Sequence, residues 1–215
     1  LLVAHADTPF DDEVDHTITV RPDSVQGPGL GDNSLGMAVL ASLPTLLETL
    51  KIQPQSNLIL MGAARSLGRG NLEGLRFFLN NRTIPIRAGL CIEGVRLGQI
   101  SFSSIGMARG DLTCRVLKEF DWTRFGSWSA IVMLNKVINR IMQIRLPRKP
   151  RTHIFLGAVE GGAAYDVNAM QAILRFEIQS ESDEMVRDVV QQVKDIATDV
   201  SSWPGVEVSV DFFAR

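Results

Sequence analysis

Cysteine is scarce in this sequence, and neither sign of charge dominates it. Cys91 and Cys114 are the only cysteines in 215 residues, and they do not form a C-x-x-C motif. We therefore expect a reduced, cytoplasmic chain in which both thiols are buried as small apolar groups. A formal net charge of −2 gives no overall attraction to nucleic acid or to anionic membranes. No apolar run is long enough to cross a bilayer. From the charge and the lack of such a run, we expect neither a nucleic-acid partner nor a membrane partner.

The basic residues are concentrated in one stretch, 145–151, which reads Arg-Leu-Pro-Arg-Lys-Pro-Arg. Its aromatic content is zero, so it offers no rings on which nucleic-acid bases would stack. A solvated loop after a helix is favoured here over a phosphate or nucleic-acid patch.

The first part of the chain alternates short apolar runs with helical patterns. Strands are predicted at Leu1–Ala4, Asn57–Gly62 and Ala88–Ile92, and helices at Asn33–Leu50 and Asn71–Asn80. This alternation is typical of parallel βαβ units, whose sheet is covered on both faces. Functional residues in such sheets gather at the carboxyl ends of the strands.

From about residue 100 the order changes to β-α-β-β-α-β, which is that of a ferredoxin-like sandwich. Residues 1–97 are therefore predicted to form an α/β domain with a mostly parallel sheet, and residues 98–215 a ferredoxin-like domain. The chain starts inside a predicted strand without an initiator methionine, as a fragment would. The predicted elements of the second domain are Gln99–Leu117 (one strand, or two with a bend at Gly106), Ser129–Ile144 (helix), His153–Ala158 and Ala169–Gln179 (strands), Glu184–Val200 (helix) and Val206–Phe213 (strand).

Imidazole and carboxylate side chains follow the predicted strands of the first domain. His5 and Asp7 come directly after the first strand, and on an extended backbone they face the same side. Asp32 lies in a glycine-rich turn before a helix, and Glu93 follows the third strand. Each also has an ordinary explanation: a surface His beside an Asp, a helix N-cap at Asp32, and a carboxylate at a strand exit.

Taken together, His5, Asp32 and Glu93 follow successive strand units of one sheet, so we expect them to converge on one cleft. Imidazole and carboxylate ligands suit zinc, or cobalt or manganese in its place. A carboxylate that bridges two ions would serve two-metal hydrolysis.

The order of these motifs resembles that of the M20 metallopeptidases, which include aminoacylases, tripeptide aminopeptidases and dipeptidases. The motifs are H-x-D-T-P at residue 5, G-x-G-x-x-D-N-x-x-G at residue 27 and I-E-G at residue 92. The resemblance implies a zinc-exopeptidase-like α/β domain followed by a ferredoxin-like lid that mediates homodimerisation. It also implies hydrolysis of small peptides or N-acyl amino acids by metal-activated water.

By this resemblance His5 binds one metal ion, Asp32 bridges two, Glu93 binds the first, and Asp7 orients His5. One or two zinc, cobalt or manganese ions are implied. The family has two adjacent glutamates after the second strand, a general base and a metal ligand, and here Arg65 and Ser66 occupy those positions. An arginine does not accept a proton at working pH.

Further departures concern the lid. Asp166 stands where the family has a substrate-binding Asn, and Gln179 where an Arg is common. The family's lid His is missing near Asp121–Gly126, and its last metal-binding His comes after the lid, beyond Arg215.

Two functions therefore stay open: a metal-dependent peptidase or amidohydrolase, and a non-catalytic relative that binds a ligand or mediates assembly. For the second, we expect Arg65 to point toward Asp32 and Glu93 and to neutralise them in place of a metal. The alternative is that Arg65 faces solvent and that a carboxylate from outside this segment completes a working metal site.

Overall fold

The computed structural model describes residues 1–94, 98–117 and 129–214. The chain divides into two compact units, Leu1–Ile100 and Ser101–Arg215. The predicted boundary after residue 97 falls at residues 95–97, and the segment 121–126, where the family's lid His is missing, falls within 118–128, so both lie outside the described residues. Within the described residues, no helix combines the length and apolar character needed to cross a membrane.

The first unit contains a parallel sheet of three short strands. In chain order, its elements are β1 (Leu2–His5), β2 (Thr19–Val20), β3 (Val25–Gln26), α1 (Leu35–Thr49), β4 (Leu60–Ala63), α2 (Glu73–Asn81) and β5 (Leu90–Cys91). The sheet order is β4-β1-β5, so β1 is central and pairs in parallel with both neighbours. His5 ends this central strand, so its side chain leaves the sheet at the carboxyl edge, where parallel α/β sheets place their functional groups.

Two expectations about this sheet are wrong: that Cys91 is buried, and that both faces of the sheet are covered. The third strand is only two residues long, and Cys91 within it is exposed and not buried. Leu60 and Leu90, which flank Leu2 in register on either side, are also exposed, so the sheet is not covered on both faces within the described residues. An apolar sequence predicts the strand, but its burial depends on which elements pack over it.

The short antiparallel pair of β2 and β3 was not expected from the sequence. Each strand has two residues, all of them exposed, so neither carries a periodic apolar pattern that would reveal it.

The second unit is a four-stranded antiparallel sheet with two helices. Its elements are β6 (Gly106–Val116), α3 (Ala130–Met142), β7 (Thr152–Gly161), β8 (Gln171–Ser180), α4 (Asp183–Ser201) and β9 (Val206–Ala214). The order β7-β8-β6-β9 is that of a ferredoxin-like fold. The predicted sequence of an α/β unit followed by a ferredoxin-like unit is therefore confirmed. The first strand starts at Gly106, the position suggested for a bend.

Alternation along β6 and β8 explains how this unit buries its core. Leu112 and Cys114 of β6 and Leu174 and Ile178 of β8 are fully buried on one face. Burial raises the pKa of the Cys114 thiol to about 12, so this cysteine stays protonated and unreactive. The helices α3 and α4 cover that face with the residues Met133, Leu134, Val137, Ile141, Val189 and Val193.

Helix α4 shows a local signal that sets its start. The Ser182 side chain accepts a hydrogen bond from the Met185 backbone N–H, and Asp183 and Glu184 occupy the first turn. A hydroxyl cap and early carboxylates satisfy free N–H groups and favour the helix dipole.

Strand β7 lies at one edge of the sheet and carries exposed apolar side chains. Phe155 and Val159 are both more than half exposed. An uncovered apolar edge is a place where a second chain can pair. We predict a two-fold homodimer through this unit, as the family resemblance implies.

Light scattering on the purified protein tests this prediction. We expect the mass of a dimer for the wild type and of a monomer for Val159→Lys, because a lysine on an edge strand opposes strand pairing. Leu50→Lys, at a similarly exposed apolar position of the first unit, is the matched control and should stay dimeric. A wild-type protein that is monomeric at high concentration would show that this edge does not pair.

Candidate metal centre

His5 is held at the end of β1 with one ring nitrogen fixed and the other facing two carboxylates. Its side chain is 10% exposed. Its Nδ1 atom lies 2.9 Å from the backbone carbonyl oxygen of Asp7. Because a carbonyl oxygen only accepts hydrogen bonds, we assign the proton to Nδ1. The Nε2 atom is then the one available to a ligand.

The Nε2 atom of His5 meets both predicted carboxylates. It lies 2.9 Å from Asp32 Oδ1 and 3.5 Å from Glu93 Oε2. The three ligand atoms all lie within 4.8 Å of one another. The predicted convergence of His5, Asp32 and Glu93 is confirmed, whereas their role as metal ligands stays a prediction.

The electrostatics of this cluster call for a cation. A lone pair on Nε2 and two carboxylates repel one another at these distances unless a proton or a metal ion lies between them. Burial raises the pKa of Glu93; the His5 ring opposes this rise and the Asp32 charge adds to it. The cluster is therefore a concentrated set of electron-pair donors at the carboxyl edge of the sheet.

The buried side chain of Asn33 joins the loop of Asp32 to the strand end of Glu93. Its Nδ2 atom donates to the Ile92 carbonyl oxygen at 2.7 Å, and its Oδ1 atom accepts from the Gly36 N–H at 3.0 Å. Ile92 in turn donates its backbone N–H to the Val3 carbonyl oxygen of β1. All three candidate ligands are thus fixed to the same strand.

These contacts also exclude the ordinary explanation for Asp32. The residue at the N-cap of α1 is Ser34, and the side chain that accepts from the first turn belongs to Asn33. Asp32 is therefore free of a capping role, and its carboxylate faces His5. Asn33 was not among the predicted site residues, although an Asn between glycines before a helix is a signal for such a buried link.

Glycine is required where the two loops touch. A Cβ atom on Gly94 would lie 1.7 Å from the Gly31 carbonyl oxygen. A Cβ atom on Gly36 would lie 2.3 Å from Asn33 Oδ1. Both approaches are far closer than atoms tolerate, so the loop of Asp32 can contact the strand end of Glu93 only because these residues lack side chains.

Asp7 joins a third loop to the cluster. Its Oδ2 atom accepts the backbone N–H groups of Ser66 at 2.8 Å and Leu67 at 2.7 Å. Burial by itself raises the pKa of Asp7, but these hydrogen bonds and the His5 ring outweigh it and lower the pKa overall. His5 Nδ1 donates its hydrogen bond to the Asp7 backbone carbonyl oxygen, while the carboxylate oxygen Asp7 Oδ1 lies 3.7 Å away.

The expected ion pair of Arg65 with Asp32 and Glu93 is wrong. In the described part of the chain, Arg65 Nε binds Glu73 Oε2 at 2.8 Å, and the side chain is 71% exposed. The reason is local: Arg65 has a left-handed φ of 55°, and its carbonyl oxygen accepts the Glu73 backbone N–H at 3.1 Å. This turn places the guanidinium beside the start of α2.

Ser66 differs from Arg65 in being buried, with 8% exposure. Its hydroxyl oxygen and Asp7 Oδ1 have no hydrogen-bond partner among the described residues. Buried polar atoms in proteins are almost always paired, so a water molecule or another ligand is expected at this point.

The lid residues singled out from the sequence belong to the second unit. Asp166 lies exposed in the connection between β7 and β8, and its role in substrate binding stays a prediction. The Gln179 side chain donates to the Glu177 carboxylate on the same strand.

Several solved structures are similar to this chain, to different degrees. A tripeptidase from Staphylococcus aureus subsp. aureus Mu50 is 19% identical, with a TM-score of 0.61 over 98% of this chain and 57% of its own. The aminobenzoyl-glutamate utilization protein of Klebsiella pneumoniae is 11% identical, with a TM-score of 0.46 over 51% of this chain and 28% of its own. A Bacillus subtilis protein described as a dinuclear metal binding peptidase from the M20 family is 12% identical, with a TM-score of 0.39 over 51% of this chain and 26% of its own.

No protein-family model matches the sequence, and none of the curated proteins matches it significantly. The chain spans 57% of the tripeptidase and under a third of the other two proteins. The likeness to the tripeptidase confirms the fold class: a partial α/β unit with a parallel sheet, followed by a ferredoxin-like unit.

The contact between Gly31 and Gly94 joins the loop of Asp32 to the strand end of Glu93, and it gives a testable prediction. Gly94→Ala should displace Glu93 from His5, because its new methyl group collides with the Gly31 backbone. We expect a loss of at least about 1 kcal/mol in the free energy of unfolding, measured by urea denaturation, and a parallel loss of zinc affinity.

Gly89→Ala is the matched control. Gly89 lies just before β5, the strand that Glu93 and Gly94 follow. A Cβ atom on Gly89 would meet no atom within 4 Å. Its stability should stay within about 0.5 kcal/mol of the wild type. Equal behaviour of the two variants would contradict the described packing of the loops.

Proposed function

We propose that His5, Asp32 and Glu93 hold one divalent cation of the zinc type, and that the chain is the metal-binding part of a hydrolase for peptide or N-acyl amide bonds. The observation that carries the proposal is the convergence of one imidazole nitrogen and two carboxylate oxygens within 4.8 Å. They come from the end of β1, the loop before α1 and the segment after β5, so no local turn accounts for their meeting.

The chemistry of the donors fits such an ion. One nitrogen and two oxygen donors suit zinc, cobalt or manganese, and three protein ligands leave a position for water or substrate. His5 also meets the usual requirement for a metal-bound imidazole, because its other nitrogen is fixed by a carbonyl oxygen at 2.9 Å. A bound zinc ion would polarise a carbonyl group or lower the pKa of a water molecule.

The residues of this chain supply the frame of the site. Asp7 fixes the loop after β4 through two backbone N–H groups, and Asn33 keeps the loop of Asp32 against the strand end of Glu93. A general base is not found at the position that the resemblance implies, because Arg65 is a cation paired with Glu73.

A second function is favoured by the residues found where the resemblance implies two glutamates. Arg65 and the buried hydroxyl of Ser66 stand where the resemblance implies a general base and a metal ligand, so the chain keeps three candidate ligands and loses a means to move a proton. Such a chain would be a non-catalytic relative that binds a peptide or N-acyl amino acid, or a module for assembly.

Calorimetry with zinc tests the metal site itself. We expect one equivalent bound per chain, and a loss of affinity of at least about 100-fold in His5→Ala, since even indirect partners of a ligand account for 10–100-fold. His16→Ala is the matched control, because His16 is exposed and its ring is hydrogen-bonded to the Asp11 carbonyl oxygen, away from the cluster of His5, Asp32 and Glu93. Equal zinc affinity of the two variants would refute the assignment.

Hydrolysis distinguishes the two functions. The full-length protein with zinc is assayed for amino-acid release from dipeptides and from N-acetyl amino acids. Turnover that is lost in His5→Ala and kept in His16→Ala is the expected result for the hydrolase. Tight zinc binding without turnover on either class of substrate would establish the non-catalytic relative instead.

A further inference from the structure

Charge is segregated along this chain, although the net charge is only −2. Residues 1–20 contain five carboxylates and no lysine or arginine. Residues 122–159 contain seven lysines and arginines and no carboxylate. Where such segments reach the surface, they favour contact with a surface of the opposite charge.

The first charged surface is the acidic loop, residues 10–15, which is exposed along its whole length. A hydrogen bond of 3.1 Å from the Glu13 backbone N–H to Asp11 Oδ1 holds its turn. The carboxylates of Asp12 and Glu13 have no partner among the described residues. Phe10 precedes them with 43% exposure, so the loop presents an aromatic ring next to free carboxylates.

The second charged surface is the basic loop, residues 145–149. Its exposed cations are Arg145, Arg148 and Lys149, and within the described ranges none of them has a carboxylate partner. Leu146 packs against the core of the second unit, so the loop is anchored while its charged side chains face solvent.

The arginines on either side of the basic loop do not add to this free charge. Arg140 binds Asp199, and Arg151 binds Glu181 at 2.7 Å. The unpaired positive charge of this region is therefore that of the basic loop itself.

A hollow of about 540 Å³ lies beside the basic loop, between the end of α3 and the middle of α4. Ile144 and Ile196 give it an apolar lining, and Arg145 lines it as well. A partner that matches both features has an apolar side chain next to carboxylates. Phe10 and the carboxylates of the acidic loop have this combination.

We propose that the acidic loop of one copy of this chain binds the basic loop of a second copy, with Phe10 in the hollow between α3 and α4. The chain itself supplies a partner of matching charge, whereas the basic loop offers no aromatic ring to nucleic-acid bases. The contact uses neither the edge of β7 nor the metal centre, so it stands or fails independently of those predictions.

Charge exchange between two variants tests this contact between copies. The first variant is Asp12→Lys with Glu13→Lys, and the second is Arg148→Glu with Lys149→Glu. Sedimentation velocity measures the association constant of the wild type, of each variant alone and of an equimolar mixture of the two variants. Pairing through β7 would be equal in all of these samples, so differences between them report on the loops.

Each variant alone should associate at least about fivefold more weakly than the wild type, because two exposed ion pairs give way to contacts of like charge. The mixture should return to within about threefold of the wild type, since the changed charges of one variant then face opposite charges on the other. Wild-type association should fall at least about fivefold between about 0.1 M and about 1 M sodium chloride, as the screening length falls from about 10 Å to about 3 Å.

Glu48→Lys with Asp188→Lys is the matched control for the first variant. It changes the net charge by the same amount, at two exposed positions outside both loops that have no partner among the described residues. Its association constant should stay within about twofold of the wild type. Circular dichroism checks that the variants fold, and the salt dependence of the wild type decides the matter if one does not.

A mixture that associates no better than the separate variants would overturn the proposal, and so would wild-type association that is equal at both salt concentrations. Binding of the wild type to double-stranded DNA or to phosphatidylserine vesicles that exceeds its self-association and is lost in the second variant would also overturn it, because the basic loop would then serve that partner.

Discussion

The hydrogen bonds of the Asn33 side chain are the interaction on which the candidate metal centre depends. This amide is 2% exposed and bonds to the Ile92 carbonyl on one side and the Gly36 N–H on the other. Because Ile92 is itself bonded to β1, one buried side chain fixes Asp32 and Glu93 relative to His5. A buried amide with both ends satisfied is costly to disturb, since a lost partner leaves a desolvated polar group.

The charge arrangement follows from this frame. The frame holds two carboxylates against one imidazole nitrogen, a geometry that is stable with a cation and repulsive without one. The cation expected from the sequence, the Arg65 side chain, is paired with Glu73. The cluster therefore keeps three candidate ligands for a metal ion, while the positions where the resemblance implies two glutamates hold an outward-facing guanidinium and a buried hydroxyl.

The positions of His5, Asp32 and Glu93 could be predicted because parallel strands bring their carboxyl ends to one edge. The ferredoxin-like unit was predictable for a similar reason, since long strands and helices carry clear periodicity. The link from Asn33 to Ile92 spans 59 residues, and no local pattern encodes it. The exposure of Cys91 and the direction of Arg65 were mispredicted, because burial depends on neighbouring elements and a left-handed turn redirects the side chain.

X-ray absorption spectroscopy of the zinc-loaded protein tests the central claim most directly. The account predicts one zinc ion per chain with one imidazole nitrogen at about 2.0 Å, the remaining ligands oxygen and no sulfur. It also predicts no second metal ion at the separation of about 3.5–4 Å that two-metal sites show. A sulfur ligand from exposed Cys91, or a metal neighbour at that separation, would contradict a single site built from His5, Asp32 and Glu93.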